Sequence, residues 1–323
     1  MKKNFFIKNG LQNPVVKRIV ADASFRKYYR VIVNNKKTFI FVYSPKKKEN
    51  NERYIKTSNF LNKIGLSVPK IIDYDKKKGF FLIEDFGSDT YSKCINQGVN
   101  HYKLYNLAIN NIIHLQKKSH LLEKKFPKYT NQMFIDEIKL FTSWYWPYIF
   151  KKKCQIQTIN SFLKIWRVLL GTGLKTKKVI VHRDFHIDNL FFLKKRQGIN
   201  ACGLIDFQDA VVGPSSYDLL SLLQDARRNV NKDLAMQMYN KFVKNLGKKK
   251  KEIFKTEYEI LAAQRHVKVI GIFTRLFLRD KKKQYLKNIP RLWKMLENNL
   301  ESKNLLKLKL WMDEYFPKKY RIK

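Results

Sequence analysis

The fold of this chain is decided by two stretches: VHRDFHIDN at residues 181–189 and LIDFQ at residues 204–208. The first contains Asp184 and, five residues later, Asn189; the second contains Asp206 between apolar residues. All three stand close to Leu, Ile or Phe, which are residue types that folded proteins mostly bury. Polar groups at such fixed places predict an organised site, whereas carboxylates on a solvated surface loop are the alternative.

The spacing of Asp184, Asn189 and Asp206 is typical of sites that transfer the γ-phosphoryl group of ATP. In such a site one carboxylate meets the acceptor hydroxyl, while a carboxamide and a second carboxylate hold Mg²⁺ against the phosphates. His186 lies inside the same stretch and is a candidate substrate contact. A purely structural role, in which its ring nitrogens brace the loop, is the alternative.

The composition bounds the class of protein. The chain has 323 residues, 44% hydrophobic, which is enough for two domains with packed cores. Its 67 Lys and Arg against 26 Asp and Glu give a formal net charge of +41, a balance often found in nucleic-acid binders. However, the lysines form short runs along the whole chain, and no nucleic-acid-binding motif accompanies them. We expect a solvated basic surface and no nucleic-acid partner; a polyanion-binding surface is the alternative.

Cysteine usage and hydropathy point to a reducing compartment without a membrane. Cys94, Cys154 and Cys202 lie far apart and indicate neither a disulfide framework nor a zinc site. The basic first eight residues contain too few apolar ones for a signal peptide. No apolar run reaches the roughly 18 residues that a membrane helix needs. We expect a cytoplasmic monomer with no membrane partner.

The hydrophobic pattern changes along the chain. Residues 1–90 have a mostly β pattern, with a hairpin at 26–33 and 38–43, a helix at 56–64 and strands at 69–74 and 79–84. The later residues carry apolar stripes of helical period at 102–116, 134–150, 160–170, 217–225, 234–243, 258–278 and 291–300.

This pattern predicts an α+β fold with the bilobal, protein-kinase-like plan. We expect a nucleotide-binding lobe over residues 1–87, with a hinge near 84–87, and a helical lobe over residues 88–323. The helical lobe would hold a catalytic loop at 182–189 and a metal-binding segment at 204–209. The nucleotide would lie in a cleft between the lobes.

Two segments are candidates for ATP binding. Residues 21–30 (ADASFRKYYR) would cover the phosphates with backbone N–H groups, and an ordinary edge hairpin is the alternative. At the hinge, the backbone of residues 84–87 (EDFG) would meet the adenine edge, and a polar turn is the alternative. The candidate nucleotide-binding residues are therefore Ala23, Ser24, Phe25, Arg26, Glu84, Asp85 and Phe86.

Residues 38–45 (TFIFVYSP) contain no interior cation where a protein kinase places a lysine. Arg26, Arg30 or Lys46 must take that role, or the phosphates are positioned by backbone and Mg²⁺ alone.

The residues after Asp206 include candidate substrate contacts and the start of a helix. Gln208 and Asp209 are candidate contacts to a polar substrate. Gly213-Pro214 forms a turn, and Ser215 or Ser216 would cap the following helix. Asp218, near the start of that helix, is expected to brace the catalytic loop rather than to touch the substrate.

These residues resemble the aminoglycoside phosphotransferase/choline kinase superfamily, and more closely its N-acetylmuramate/N-acetylglucosamine 1-kinases of peptidoglycan recycling. The matching segments are DASFR at 22–26, EDFG at 84–87, HRDFHIDNL at 182–190, IDFQDA at 205–210, GPSSYDL at 213–219, LQDAR at 223–227 and QRHVKVIGIFTRL at 264–276. One departure is Ala21, where a glycine is usual.

The resemblance implies an ATP-dependent sugar kinase with ATP and Mg²⁺ as cofactors. It implies Asp184 as the catalytic base and Asn189 and Asp206 as the magnesium ligands. Asp225 and Arg227, inside the segment at 223–227, join the candidate substrate contacts. The acceptor would be the anomeric hydroxyl of a small amino sugar.

Two other functions stay open at this point. The chain is alternatively another small-molecule kinase of the superfamily, acting on an aminoglycoside, choline or a similar alcohol. Those named acceptors are cations, which suit a strongly basic chain poorly. The non-enzymatic alternative is a nucleotide- or nucleic-acid-binding pseudokinase, which the presence of Asp184, Asn189 and Asp206 together disfavours.

Overall fold

The computed structural model of the protein describes residues 2–19, 25–34, 37–121 and 125–321. The predicted α+β class is confirmed, with a β-rich N-terminal part and a mainly helical C-terminal part. The chain divides into two compact units. The first comprises Met1–Lys118 with Ile187–Ala210, and the second comprises Ser119–His186 with Val211–Lys323. The predicted boundary at residues 87/88 separates a nucleotide-binding lobe from a helical lobe by their expected roles. It stays a prediction.

The first unit is built on a five-stranded antiparallel sheet. Its strand order is β1-β2-β3-β5-β4, with β1 (Val15–Ile19), β2 (Lys27–Val33), β3 (Lys37–Tyr43), β4 (Ile71–Asp75) and β5 (Phe80–Glu84). The β2–β3 hairpin and the two later strands agree with the sequence pattern. Sequence reasoning missed β1 because its side chains are mostly exposed and carry little alternation.

Successive side chains of a strand point to opposite faces, and both faces of this sheet are covered. On one face, Phe41 and Phe80 pack against Phe5 and Phe6 of α1 (Lys2–Lys8). On the other face, residues of β3 and β5 pack against α2 (Asn51–Lys63): Val42, Phe81 and Ile83 meet Tyr54 and Ile55. Burial on both sides explains why β5 is a continuous apolar run.

Four short strands later in the chain form two antiparallel pairs. These are β6 (Lys178–Val181) with β9 (Val211–Pro214) in the second unit, and β7 (Leu190–Phe192) with β8 (Cys202–Leu204) in the first. The β7–β8 hairpin packs closely on Phe86, since a Cβ added at Gly203 would lie 2.7 Å from that ring. Leu204 N also donates to Ser67 O at 2.8 Å. These contacts explain why residues 187–210 belong to the first unit.

The remaining elements are helical. The first unit adds α3 (Tyr91–Asn96) and α4 (His101–Lys118), and the second holds α5 (Asn131–Leu140), α6 (Trp146–Phe150), α7 (Ile156–Gly173), α8 (Tyr217–Leu223), α9 (Lys232–Val243), α10 (Lys248–Asp280), α11 (Ile289–Leu300) and α12 (Leu306–Tyr315). The second unit has an aromatic core around Phe141, Trp166 and Trp293. Within the described ranges, no helix is both long and apolar enough to cross a bilayer.

Several predicted helix ends are corrected. Helix α2 begins at Asn51 instead of residue 56, because the side chain of Asn50 caps it by accepting from Arg53 N. Ser216 occupies the predicted N-cap position of α8, but its hydroxyl donates to Glu257 Oε1 at 2.8 Å and caps nothing. The predicted helix at 134–150 is interrupted by a π-helical turn at Phe141–Tyr145.

The π-helical turn begins where α10 packs closely against the end of α5. A Cβ added at Gly271 of α10 would lie 2.5 Å from Leu140 C and 2.7 Å from Leu140 O. The obstacle is backbone, which cannot rotate away as a flexible side chain does. Only a glycine therefore permits this contact between α10 and the end of α5.

Gly271→Ala should lower the free energy of unfolding by about 1–3 kcal/mol, because the two helix backbones must separate. Gly171→Ala is the matched control, since Gly171 is also helical but nothing lies within 4 Å of its added Cβ. That control should be neutral or stabilising by roughly 0.5–1 kcal/mol. Urea unfolding followed by circular dichroism measures both. Equal effects of the two substitutions would contradict the close approach.

Candidate active site

The loop that carries Asp184 follows β6 and is fixed by a buried carboxylate. Asp218, in the first turn of α8, accepts the backbone N–H of His182 at 2.7 Å and that of Arg183 at 3.0 Å. Arg183 has a φ of +75°, which is a costly conformation for a residue other than glycine. The two hydrogen bonds stabilise this turn, and the prediction that Asp218 braces the loop is confirmed.

The side chain of Arg183 is held by Glu137 of α5. Glu137 Oε1 accepts from Arg183 Nη2 at 2.9 Å and from Lys268 Nζ at 2.8 Å. The same carboxylate accepts from Tyr129 OH at 2.7 Å and from Gln264 Nε2 at 3.1 Å. Burial alone would raise the pKa of Glu137, but Lys268, Arg183 and Tyr129 bring it below its usual value. Glu137 is therefore an ionised acceptor that ties the loop to α5 and α10.

Asp184 lies in cationic surroundings within the second unit. Burial alone would raise its pKa, but the cationic side chains nearby, Arg265 and Lys268 foremost, lower the pKa to about 2. Arg265 and Lys268 stand three residues apart on α10, so they share one helix face. Asp184 is consequently an anion throughout the physiological pH range.

One predicted substrate contact, His186, lies beside Asp184, and a second, Arg227, contacts His186. His186 N donates to Asp184 O at 3.1 Å. Burial and the charge of Arg227 hold the pKa of His186 well below its usual value, so its ring is neutral. Its Nε2 accepts from Arg227 Nη1 at 3.4 Å, and Arg227 itself is exposed. Asp225 is buried and accepts the backbone N–H of Arg227 at 2.8 Å, which makes it a turn-forming residue.

The predicted magnesium ligands meet at one end of the β7–β8 hairpin in the first unit. Leu190 pairs with Leu204, and Ile205 N donates to Asn189 O at 3.1 Å. Asn189 therefore lies beside the residue that precedes Asp206. Asp206 has a φ of +63°, and its Oδ1 accepts from Gln208 Nε2 at 2.7 Å.

The donor set at this hairpin fits a hard cation. In the described part of the chain, no group of three or more His, Cys, Asp or Glu could hold a metal ion alone. A carboxamide and a carboxylate suit Mg²⁺, which commonly takes its other ligands from phosphates and water. Asp209, a predicted substrate contact, is exposed and faces Arg53, with Oδ1 3.9 Å from Arg53 Nη1.

At the predicted hinge, both carboxylates are bound to protein cations. Arg30 donates to Asp85 through Nε at 2.7 Å and through Nη2 at 3.0 Å, and Glu84 is paired with Arg196. Glu84 N also donates to Lys70 O at 2.9 Å. Any adenine contact by Glu84 is therefore limited to its carbonyl oxygen.

The predicted phosphate loop is described only in part. Ala23 and Ser24 lie outside the described residues, whereas Phe25 is exposed, with Lys48 Nζ 4.6 Å from its ring centroid. Arg26 is buried, and its Nη2 lies 3.1 Å from Glu49 Oε2. Of the two other cations considered for the missing lysine, Arg30 is bound at the hinge and Lys46 is exposed.

Sequence reasoning missed Glu137, Arg265 and Lys268 as parts of the site. The signal was present, since Glu137 lies in the partly apolar stretch MFIDEIKL and the two cations lie inside the apolar segment QRHVKVIGIFTRL. Such residues, placed on faces that the helical period assigns to the core, are seldom buried without a partner.

Comparisons with known proteins support the same family of enzymes. Residues 15–241 match the phosphotransferase enzyme family. The N-acetylmuramate/N-acetylglucosamine kinase of Neisseria meningitidis serogroup B is 32% identical over 307 residues, which is 90% of this chain and 89% of that protein. The kinase of the same name from Caulobacter vibrioides is 30% identical over 273 residues, 82% of this chain and 75% of that protein.

Solved structures share the fold at lower identity. The GDP complex of wild-type aminoglycoside 2'-phosphotransferase-IIIa superposes with a TM-score of 0.62 at 12% identity, covering 92% of this chain and 98% of that one. The Plasmodium vivax ethanolamine kinase gives 0.61 at 12% identity, covering 95% and 87%. These likenesses show the fold alone, and it is the kinase-like α+β fold that the sequence predicts.

Glu137→Gln keeps the shape of the side chain but leaves Arg183 and Lys268 without a carboxylate partner. We expect a loss of about 3–5 kcal/mol in the free energy of unfolding at neutral pH. Because the folded-state pKa lies below the usual 4.5, this contribution is present above pH 4.5 and is lost as the pH falls through the folded-state pKa.

Urea unfolding of both proteins from pH 7 downwards measures the difference. Asp136→Asn is the matched control, because Asp136 is the neighbouring residue on α5 but pairs with Lys139 at the surface. The control should change stability little. A Glu137→Gln difference that did not shrink at acid pH would contradict an ionised Glu137.

Proposed function

The chain belongs to the phosphotransferase enzyme family, and we propose that it transfers the γ-phosphoryl group of ATP to the anomeric hydroxyl of a free amino sugar. The acceptor class follows from two relatives named N-acetylmuramate/N-acetylglucosamine kinase that are similar over most of this chain. The chemistry rests on one observation: Asp184 is an ionised carboxylate on a loop that other carboxylates hold in place.

Asp184 would orient the acceptor hydroxyl and accept its proton. A carboxylate with a pKa of about 2 is a weak base, so it cannot remove a hydroxyl proton before the reaction begins. Phosphoryl transfer through a loose transition state does not require that, because the acceptor becomes acidic only as its bond to phosphorus forms. Asp184 therefore acts late, and its earlier contribution is orientation.

His186 and Arg227 would define the acceptor side. The neutral ring of His186 suits hydrogen bonding to a sugar hydroxyl, and the exposed guanidinium of Arg227 suits an anionic substituent such as the lactyl carboxylate of N-acetylmuramate. Aminoglycosides and ethanolamine are cations, and an exposed arginine at this place disfavours them as acceptors.

On the nucleotide side, Asn189 and Asp206 would hold Mg²⁺. When bound, Mg²⁺ would supply positive charge that neutralises the phosphates. The Gln208 amide, by donating to Asp206, orients the carboxylate for this task. Adenine would meet the carbonyl oxygen of Glu84 and the backbone of Phe86. Residues 21–26 would cover the phosphates.

Asp184→Asn should lower kcat by about 10²–10⁴-fold, because the variant keeps the shape but loses the proton acceptor. The affinity for ATP should stay within a few fold. Steady-state kinetics with calorimetry of nucleotide binding separate the two quantities. Asp233→Asn, at the exposed start of α9, is the control and should retain wild-type kcat. A variant with normal kcat but weak ATP binding would assign Asp184 to the nucleotide instead.

The position of the phosphate on the sugar tests the acceptor. Free N-acetylmuramate or N-acetylglucosamine should yield a product whose phosphorus NMR signal couples to the anomeric proton. The corresponding methyl glycosides are blocked at that oxygen and should not react. A phosphate at carbon 6, or turnover of the methyl glycosides, would rule out anomeric phosphorylation.

A further inference from the structure

The sheet of the first unit lacks the cation that kinase-type sites draw from a strand. In protein kinases a strand lysine pairs with a helix glutamate, and both must be in place for transfer. Here the only cation of β3 is Lys37, which opens the strand and is exposed. Either a cation from another element binds the triphosphate, or no side-chain cation of this lobe does.

Of the three candidate side chains, one is bound at the predicted hinge and one is exposed. Arg30 donates twice to Asp85 and once to the Gly87 carbonyl at 2.6 Å. Lys46 is exposed, in the turn that follows β3. Arg26 differs from both, because it is only 5% exposed and stands immediately before β2.

Arg26 is held by a set of polar groups. Its Nη2 lies 3.1 Å from Glu49 Oε2, and its Nε donates to Ser44 Oγ at 3.3 Å. Ser44 is fixed in turn by Asn51, whose Nδ2 donates to the Ser44 carbonyl at 3.0 Å. This bracing keeps a buried guanidinium in a single orientation, which is a condition for binding a phosphate without reorganisation.

The place of Arg26 is next to the predicted metal ligands. Its guanidinium carbon lies 5.3 Å from the centroid of the Tyr54 ring, and the same ring stacks at 5.1 Å on Phe207, the neighbour of Asp206. Arg26 is also hydrogen-bonded to Tyr28, whose pKa is raised by burial, lowered by Arg26 and raised by the nearby Asp206 carboxylate. Within the first unit, Arg26 thus lies on the side of the sheet that faces the magnesium ligand.

We propose that Arg26 takes the role of the missing strand lysine by binding the phosphates of the nucleotide, and that Glu49 is the residue that positions it. The Arg26–Glu49 pair replaces the lysine–glutamate pair with a cation that enters from the start of β2. This inference rests on the proposed function, since it requires a nucleoside triphosphate as the donor. An ion pair that serves the fold alone is the competing role.

A series of nucleotides with increasing phosphate number separates these roles. Affinities of adenosine, ADP and ATP, with Mg²⁺ present, are measured by calorimetry or competition for wild type, Arg26→Gln and Glu49→Gln. Arg26→Gln should weaken ADP and ATP about 10–100-fold, as expected for a charged hydrogen bond, and leave adenosine within about twofold. Glu49→Gln should weaken the same two ligands by a smaller factor.

The double variant tests whether Glu49 acts through Arg26. If it does, adding Glu49→Gln to Arg26→Gln should weaken ATP no further, because the positioned group is already absent. Arg18→Gln and Glu52→Gln are the matched controls: Arg18 is an exposed residue of β1, and Glu52 pairs with Lys76 at the surface of α2. Both controls should bind all three ligands as wild type does.

Equal effects on adenosine, ADP and ATP, or no effect on any of them, would overturn the proposal. If Arg26→Gln does not fold, Glu49→Gln carries the same comparison, and loss confined to the phosphorylated ligands still decides it. Failure of the proposed function looks different: the wild-type protein would then bind no ATP, or would form no sugar phosphate from it.

Discussion

The second unit depends on one largely enclosed carboxylate, Glu137, whose side chain is 14% exposed, and on its four donors. Through Arg183 it holds the loop before Asp184, and through Lys268 and Gln264 it fixes the position of α10 against α5. A partly desolvated carboxylate with two cations is stable only as a complete set, since any missing member leaves a charge unpaired in a poor solvent. The conformation of the loop and the packing of α10 against α5 therefore depend on the same set of hydrogen bonds.

This constraint also sets the charge state of the site. Lys268 belongs to the Glu137 network and, together with Arg265, lowers the pKa of Asp184. The same α10 face thus anchors the loop and keeps its carboxylate ionised. In a chain with 67 basic and 26 acidic residues, carboxylates are scarce. The buried ones, including Asp218 and Asp225, accept backbone or cationic donors near the loop, while the lysine runs remain on the surface.

Sequence reasoning reached the parts that are local in the chain. The loop around Asp184 and the β2–β3 hairpin follow from spacing and periodicity within about ten residues. Glu137 did not, because its partners lie 46 and 131 residues away and no local pattern reports such pairs. The first turns of α10 were missed since KKKK at 248–251 has no apolar period. The assignment of residues 187–210 to the first unit follows from packing on Phe86, which is likewise invisible locally.

The geometry of the first unit favours an arginine over a lysine as the cation proposed for the phosphates. A lysine at position 26 would carry the same single charge but only three donors on one nitrogen. An arginine has five donors in a planar fork, so one side chain can serve several acceptors, Glu49 and Ser44 among them. A cation at the start of β2, anchored by groups from the turn after β3, is therefore better supplied by arginine than by lysine. Lysine is abundant elsewhere in the sequence, so an arginine at position 26 points to a role for the guanidinium group itself.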